Sequence, residues 1–171
     1  MKPVKTAFGI CSALLLASLS VGCMGYRIGS SLPEGVRSVH VPTFKNKTSE
    51  PFLETDTTRA VIEALQTDGS LKVLDADLAD ARLDVVLTSL TLDPVVYERN
   101  DAKVPEEYRL RIQAKLSLVA TRTNKEILGQ TVKGEKLFKP GGDIATGKHT
   151  AIPKASKDLA HQIVKAVVEY W

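Results

Sequence analysis

The sequence predicts an α+β fold: a two-layer sandwich in which a mixed four-stranded sheet carries two helices on one face, in the order β-α-β-β-β-α. Three observations predict it. Tyr108, Leu110, Ile112, Ala114, Leu116 and Leu118 alternate with Arg109, Arg111, Gln113, Lys115 and Ser117, the period of a strand with one buried and one wet face. Two other stretches, one from Leu53 and one from about Lys154, repeat their apolar residues at helical spacing. The remaining apolar runs are short and divided by turn residues, and strands and helices in this order bury their apolar faces as two layers.

The first strand is read over Val36–Phe44, with Val39, Val41 and Phe44 inward and Pro42 marking an edge or a bulge. A polar turn, Lys45–Ser49, leads into the first helix. There Ser49 is placed to cap, Pro51 sits near the first turn, and Leu53, Thr57, Ala60, Val61, Ala64 and Leu65 share one side. Gly69 ends that helix, Leu71–Asp75 is a short extended piece, and Asp75–Ala81 is a turn. The run Leu83–Tyr97 is apolar on both parities, which fits a strand covered on both faces or one whose alternation resets at a bulge. After the alternating third strand, Thr123–Glu126 reads as a hairpin turn and Ile127–Phe138 as the return strand. A glycine-rich loop, Lys139–Pro153, then precedes a helix from about Lys154 with Ala155, Leu159, Ile163, Ala166, Val167 and Tyr170 on its apolar stripe.

At the amino end, Lys2 and Lys5 precede an uncharged run from Ala7 to Val21. At about 15 residues it falls short of the roughly 20 that span a bilayer, so residues 1–22 read as a signal peptide that is removed. Leu19-Ser20-Val21-Gly22-Cys23 resembles the lipobox of bacterial lipoproteins, with Ser20 standing where Leu is commonest. That likeness makes Cys23 the lipidation site, its thiolate taking a diacylglyceryl group before cleavage after Gly22. Residues 23–35, with Gly25, Gly29, Pro33 and Gly35, read as a lipidated tether, and residues 36–171 as a single domain. Acyl chains anchor the chain to the membrane without spanning it. By the bacterial sorting rule, Met24 after the cysteine permits transfer to the outer membrane. With Cys11 removed and Cys23 a thioether, no disulfide is expected.

The chain carries 23 basic and 20 acidic residues, and loss of Lys2 and Lys5 leaves a net charge of +1 with His neutral. That balance argues against nucleic acid as a partner. Gly142 to Lys148 has the spacing of a phosphate-binding loop, but His149 stands where the magnesium-binding hydroxyl belongs, and the following helix is expected to start too late to cradle phosphate. Asp75, Asp77 and Asp80 lack the glycine and the bidentate glutamate of a calcium loop and read as a solvated turn. His40, His149 and His161 lack metal-ligand spacing, and no Gly-x-Ser-x-Gly elbow is present. The sequon Asn46-Lys47-Thr48 carries no weight beside a lipobox. No catalytic residue, metal or cofactor is expected.

Topology adds a charge argument. If the first strand, the helix and the second strand form a crossover unit, the loops at 45–49, 98–106 and 139–153 gather at one end. They bring Lys45, Lys47, Arg99, Lys103, Lys139 and Lys148 against Asp101, Glu106 and Asp143, an end suited to phosphate. Scattered solubilising charges are the alternative.

The order of motifs resembles the LptE family of lipopolysaccharide-assembly lipoproteins: Gly22-Cys23 followed by Gly25-Tyr26-Arg27, the strand "VRSVHVPTFKNKTSEP" leading into a helix, the hairpin "VVYERNDAKVPEEYRLRIQAKLSL" and a closing amphipathic helix. The resemblance implies a lipid-anchored protein on the periplasmic side of the outer membrane that plugs an LptD-like β-barrel, assists its assembly and binds lipopolysaccharide. It matches a basic residue and Asn at the hairpin tip to Arg99 and Asn100, and a lysine before the last helix to Lys148; Arg99, Lys103 and Lys148 are the expected lipopolysaccharide contacts. The alternative is a structural or accessory lipoprotein of another envelope complex with no glycolipid ligand.

Overall fold

Alternation at period two builds the sheet, and the two helical stripes cover it. A computed structural model describes residues 35–98 and 101–169, with the backbone alone over 96–98 and 101–104. The expected signal peptide, Cys23, the tether up to residue 34, Arg99, Asn100 and Tyr170 lie outside the described residues. The elements are β1 (Ser38–His40), β2 (Lys45–Asn46), α1 (Leu53–Asp68), β3 (Lys72–Val73), β4 (Ala81–Glu98), β5 (Asp101–Ala120), β6 (Glu126–Phe138) and α2 (Ile144–Val168). The sheet runs β3-β1-β4-β5-β6, with β2 also paired to β4. β1 lies parallel to β4, while β4, β5 and β6 form an antiparallel meander, as the crossover argument requires. The α+β sandwich stands, with six strands in place of four. β2 and β3 are two residues long, too short to show a period, and fall inside the expected turn and extended piece.

The core lies between sheet and helices. Leu110, Ile112, Ala114, Leu116 and Leu118 of β5 are buried with Ala81, Leu83, Val85 and Leu87 of β4. The pairing of β4 shifts between Leu87 and Ser89, which returns Leu90 and Leu92 to the core side, so the double parity of this run records a bulge. Val39, Val41 and Phe44 are buried although β1 ends at His40. Helix α1 buries Leu53, Thr57, Ala60, Val61 and Leu65, and stops where Gly69, at φ 75°, donates its N–H to the Leu65 carbonyl. Helix α2 buries Ala155, Leu159, Ile163 and Val167. It crosses β6 so closely at Gly134 that a Cβ there would lie 2.6 Å from the Ala155 carbonyl oxygen and nearer still to the Leu159 backbone nitrogen.

Both helix starts differ from expectation. Ser49 does not cap α1: Phe52, at φ 62°, takes the cap position without a side-chain hydrogen bond. The preceding turn is held by Asn46, whose Oδ1 accepts from the Thr48 N–H and whose Nδ2 donates to the Glu50 carbonyl and the Glu54 carboxylate. Helix α2 begins at Ile144, well before Lys154, because Gly141 and Gly142 take positive φ and Asp143 caps the helix by accepting from the Ala145 and Thr146 N–H groups. Pro153, read as the end of a loop, lies inside the helix, where burial of Ile152 and Ala155 on either side offsets the lost backbone hydrogen bond.

Candidate functional site

The expected basic end exists as topology but is drawn out along the sheet. β2 pairs with β4 at Val86 and Leu87, Tyr108 pairs with Phe138, and Asp101 pairs with Glu98. At about 3.3 Å per residue, the hairpin end at Asp101 stands roughly 20 Å beyond Tyr108. Helix α2 starts near the Tyr108 level: Tyr108 stacks on Phe138 at 6.0 Å, and a Cβ on Gly147 would meet that Phe138 ring at 2.6 Å. Lys148 is therefore separated along the strand from the Lys103 backbone by about 15 Å.

Lys148 lies in the second turn of α2, where the sequence reading placed a loop, and it is not free. Its Nζ is paired with Oε2 of Glu50, with side-chain exposures of 31% and 20%. Glu50 stands just past the expected 45–49 turn, so its charge was left out of the balance at this end. Lys139 is likewise paired, at 2.6 Å with Glu106, whose hydrogen bond raises the lysine's pKa. Of the expected contacts, Arg99 lies outside the described residues, Lys103 is described by its backbone alone, and Lys148 is placed on a folded element with a carboxylate partner.

A second charged array was present in the alternation but went unread as a unit. On the sheet face away from the helices, Glu135 of β6 accepts from Arg111 Nε at 2.7 Å, with Arg109 at 3.5 Å and Lys133 at 3.6 Å. Asp93 of β4 stands 3.7 Å from Arg111. The hydrogen bond from Arg111 holds the Glu135 carboxyl below its usual range and raises the Arg111 guanidinium. The signal was the shared parity of Arg109 and Arg111; setting Glu135 beside them takes the cross-strand register, which slips between Leu118 and Val119. This face is polar, two-signed and uncovered by the described elements.

The rejected motifs are rejected on new grounds. The Gly142–Lys148 segment does open a helix, contrary to the expected late start, but the Asp143 carboxylate occupies the amides a phosphate would use, and those hydrogen bonds, led by the one from the Thr146 N–H, lower its pKa. Asp80 is no solvated turn residue: it accepts from the Ser38 hydroxyl at 2.7 Å and the Arg37 N–H at 3.0 Å, and its pKa is lowered, chiefly by Ser38. His161 is exposed on the rim of a groove between α1 and α2. Among the described residues, no helix is long and apolar enough to cross a membrane.

The sequence model of the LptE family, described as lipopolysaccharide-assembly, matches residues 36–167. No curated protein matches the sequence. Among solved structures, an uncharacterized lipoprotein B from Nitrosomonas europaea aligns with TM-score 0.55 at 17% identity, over 86% of this chain and 92% of its own. A minor lipoprotein from Acinetobacter baumannii aligns with TM-score 0.51 at 12% identity, over 79% and 94%. A hypothetical protein from Chlamydia trachomatis aligns with TM-score 0.59 at 10% identity, over 79% and 97%. At these identities the likeness is one of fold.

Proposed function

Because the chain belongs to the LptE family of lipopolysaccharide-assembly proteins, we propose that it is an outer-membrane lipoprotein, anchored through acylated Cys23, that plugs an LptD-like barrel, assists its assembly and contacts lipopolysaccharide. The family match across residues 36–167 carries this reading. The two-signed sheet face around Arg111, Glu135 and Asp93 supports the barrel half of it, because barrel lumens are polar and a plug must present hydrogen-bonding groups of both signs to them. Arg99 and Lys103 on the hairpin and Lys148 on α2 supply cations for the phosphate-bearing part of the glycolipid. Lys148 acts by exchanging the Glu50 carboxylate for phosphate. The mechanism is non-covalent throughout, and nothing in it needs a cofactor.

Affinity purification of the tagged, lipidated protein from detergent-solubilised outer membranes tests the barrel half. A single large barrel recovered in near-equal amount is the expected result. Recovery of the lipoprotein alone, or with periplasmic or inner-membrane partners, overturns it in favour of an accessory lipoprotein without a glycolipid ligand. For the ligand half, Arg99→Gln is expected to weaken salt-sensitive binding to lipopolysaccharide without changing Tm, and full binding by this variant removes Arg99 from the site.

A further inference from the structure

The geometry points to the free edge of β6 as a self-pairing surface: we propose that two copies of this chain join β6 to β6 antiparallel about Thr131, continuing the sheet through a twofold axis. β6 is the last strand in the sheet order. The Glu135 N–H donates to the Asp158 carboxylate at 2.8 Å, so it points away from β5, and in the regular register from Leu128 to Phe138 every second residue shares that direction. The outward N–H and C=O groups of Gly129, Thr131 and Lys133 therefore face out, and among the described residues no turn or side chain pairs with them. One half of the edge is blocked by Asp158, a common protection of exposed edges, and the other half is open.

Charge chooses the partner and the register. With Thr131 opposite Thr131, Gly129 of one copy faces Lys133 of the other on the wet side of the sheet. Gly129 has no side chain, and the Glu126 carboxylate lies over it, in the space a Cβ would take, while donating nothing and accepting from the Ser117 hydroxyl at 2.9 Å. Each Lys133 then meets a Glu126 of the opposite copy, twice by symmetry. Centring the pair on Lys133 instead would set like charges face to face, which disfavours that register. On the helix side the same edge opens into a groove of about 260 Å³ lined by Val132, Gln162, Ala166, Lys165 and Glu169. A twofold axis there apposes two apolar Val132 and Ala166 pairs, flanked in each copy by the Lys165–Glu169 ion pair at 3.8 Å. Lys133 borders the array around Glu135 that the proposed function turns to a barrel lumen, so the dimer is a state of the chain outside the barrel, and its test does not depend on that reading.

The test is sedimentation of the purified full-length protein in detergent, compared with Thr131→Pro, Lys133→Glu and the double exchange Lys133→Glu with Glu126→Lys. Proline is tolerated where an edge-strand N–H faces outward, so Thr131→Pro is expected to stay folded by circular dichroism and lose the dimer. Lys133→Glu should lose it as well, and the double exchange should restore it. A Thr131→Cys variant should join to a chain of doubled mass with a short bismaleimide, where Gln113→Cys and the unsubstituted chain do not. A monomer at every soluble concentration, a dimer indifferent to Thr131→Pro, or cross-linking of Thr131→Cys in membranes to a different protein overturns the proposal, the last by giving the edge to another strand.

Discussion

The β4–β5 ladder passes through two regimes. From Ala81 to Leu87 and from Leu110 to Leu118 every second residue is buried under the helices, and the sheet is one wall of a core. Beyond Pro94 and Tyr108 the same two strands continue to Glu98 and Asp101 past the start of α2. Val95 there is 39% exposed, where Leu110 and Ile112 in the body are fully buried. Antiparallel pairing runs through both places, but its register slips three times beyond Pro94, so regularity as well as burial separates the two. Among the described side chains the buried ones lie in the body, which leaves the distal hairpin open to a role other than stability.

The sharpest way to break the body is at Gly134, where α2 lies on bare backbone. Gly134→Val must displace backbone atoms of Ala155 and Leu159 and is expected to cost about 3 kcal/mol, at the upper end of overpacking in cores. A small shift in the urea midpoint would mean that α2 rides over β6 more loosely than described. The next effect is expected at Asp80, which joins β1 to the start of β4 through Ser38 and Arg37. Its folded pKa lies below the unfolded value near 3.8, so its contribution is complete above that pH and is lost as pH falls through the lower folded value. Asp80→Asn should cost about 1 kcal/mol at pH 6 and progressively less towards pH 3. A pH-independent difference in unfolding free energy would put the contribution in shape and not in charge.

Lys148 lies at the boundary of the two regimes. Lys148→Gln leaves a part-buried Glu50 without its partner and is expected to cost about 1 kcal/mol, the upper range for incompletely buried pairs. Glu50→Gln separates structure from ligand: it should cost a similar amount while raising affinity for lipopolysaccharide, because the lysine no longer has to leave a carboxylate. Weaker binding by Glu50→Gln would show that the pair acts as scaffolding alone.

The same division explains what could be read from the sequence. The body was legible because burial writes a period: Leu110–Leu118, Leu53–Leu65 and Ala155–Val167 each announce their element, and the parallel placement of β1 and β4 follows from the crossover. The start of α2 was not, because Pro153 is the stronger local signal and the Asp143 cap stands beside two glycines that also mark a loop. The site was legible as residue types at one end and illegible as geometry. Glu50 reaches Lys148 across 98 positions of sequence, and no local pattern announces such a pair. The array around Glu135 was half written, since the parity of Arg109 and Arg111 was visible but the cross-strand carboxylate required the register.

The smallest effect belongs to the distal hairpin and tests the comparison from its other side. Val95→Thr exchanges one exposed β-branched residue for another of similar shape, so it should change the unfolding free energy by no more than about 0.5 kcal/mol, as surface substitutions away from packed sites do. Shortening the hairpin, by replacing residues 95–107 with a tight turn between the paired Pro94 and Tyr108, should also leave Tm nearly unchanged, since among the described side chains of β4 and β5 the buried ones lie on the near side of that pair. Binding of lipopolysaccharide is expected to fall in the shortened protein and to persist in Val95→Thr. A large loss of Tm on shortening would mean that the ladder is one cooperative unit from end to end. Stability would then be distributed along the pairing, and the freedom of the hairpin to carry the proposed ligand-binding cations would need another source.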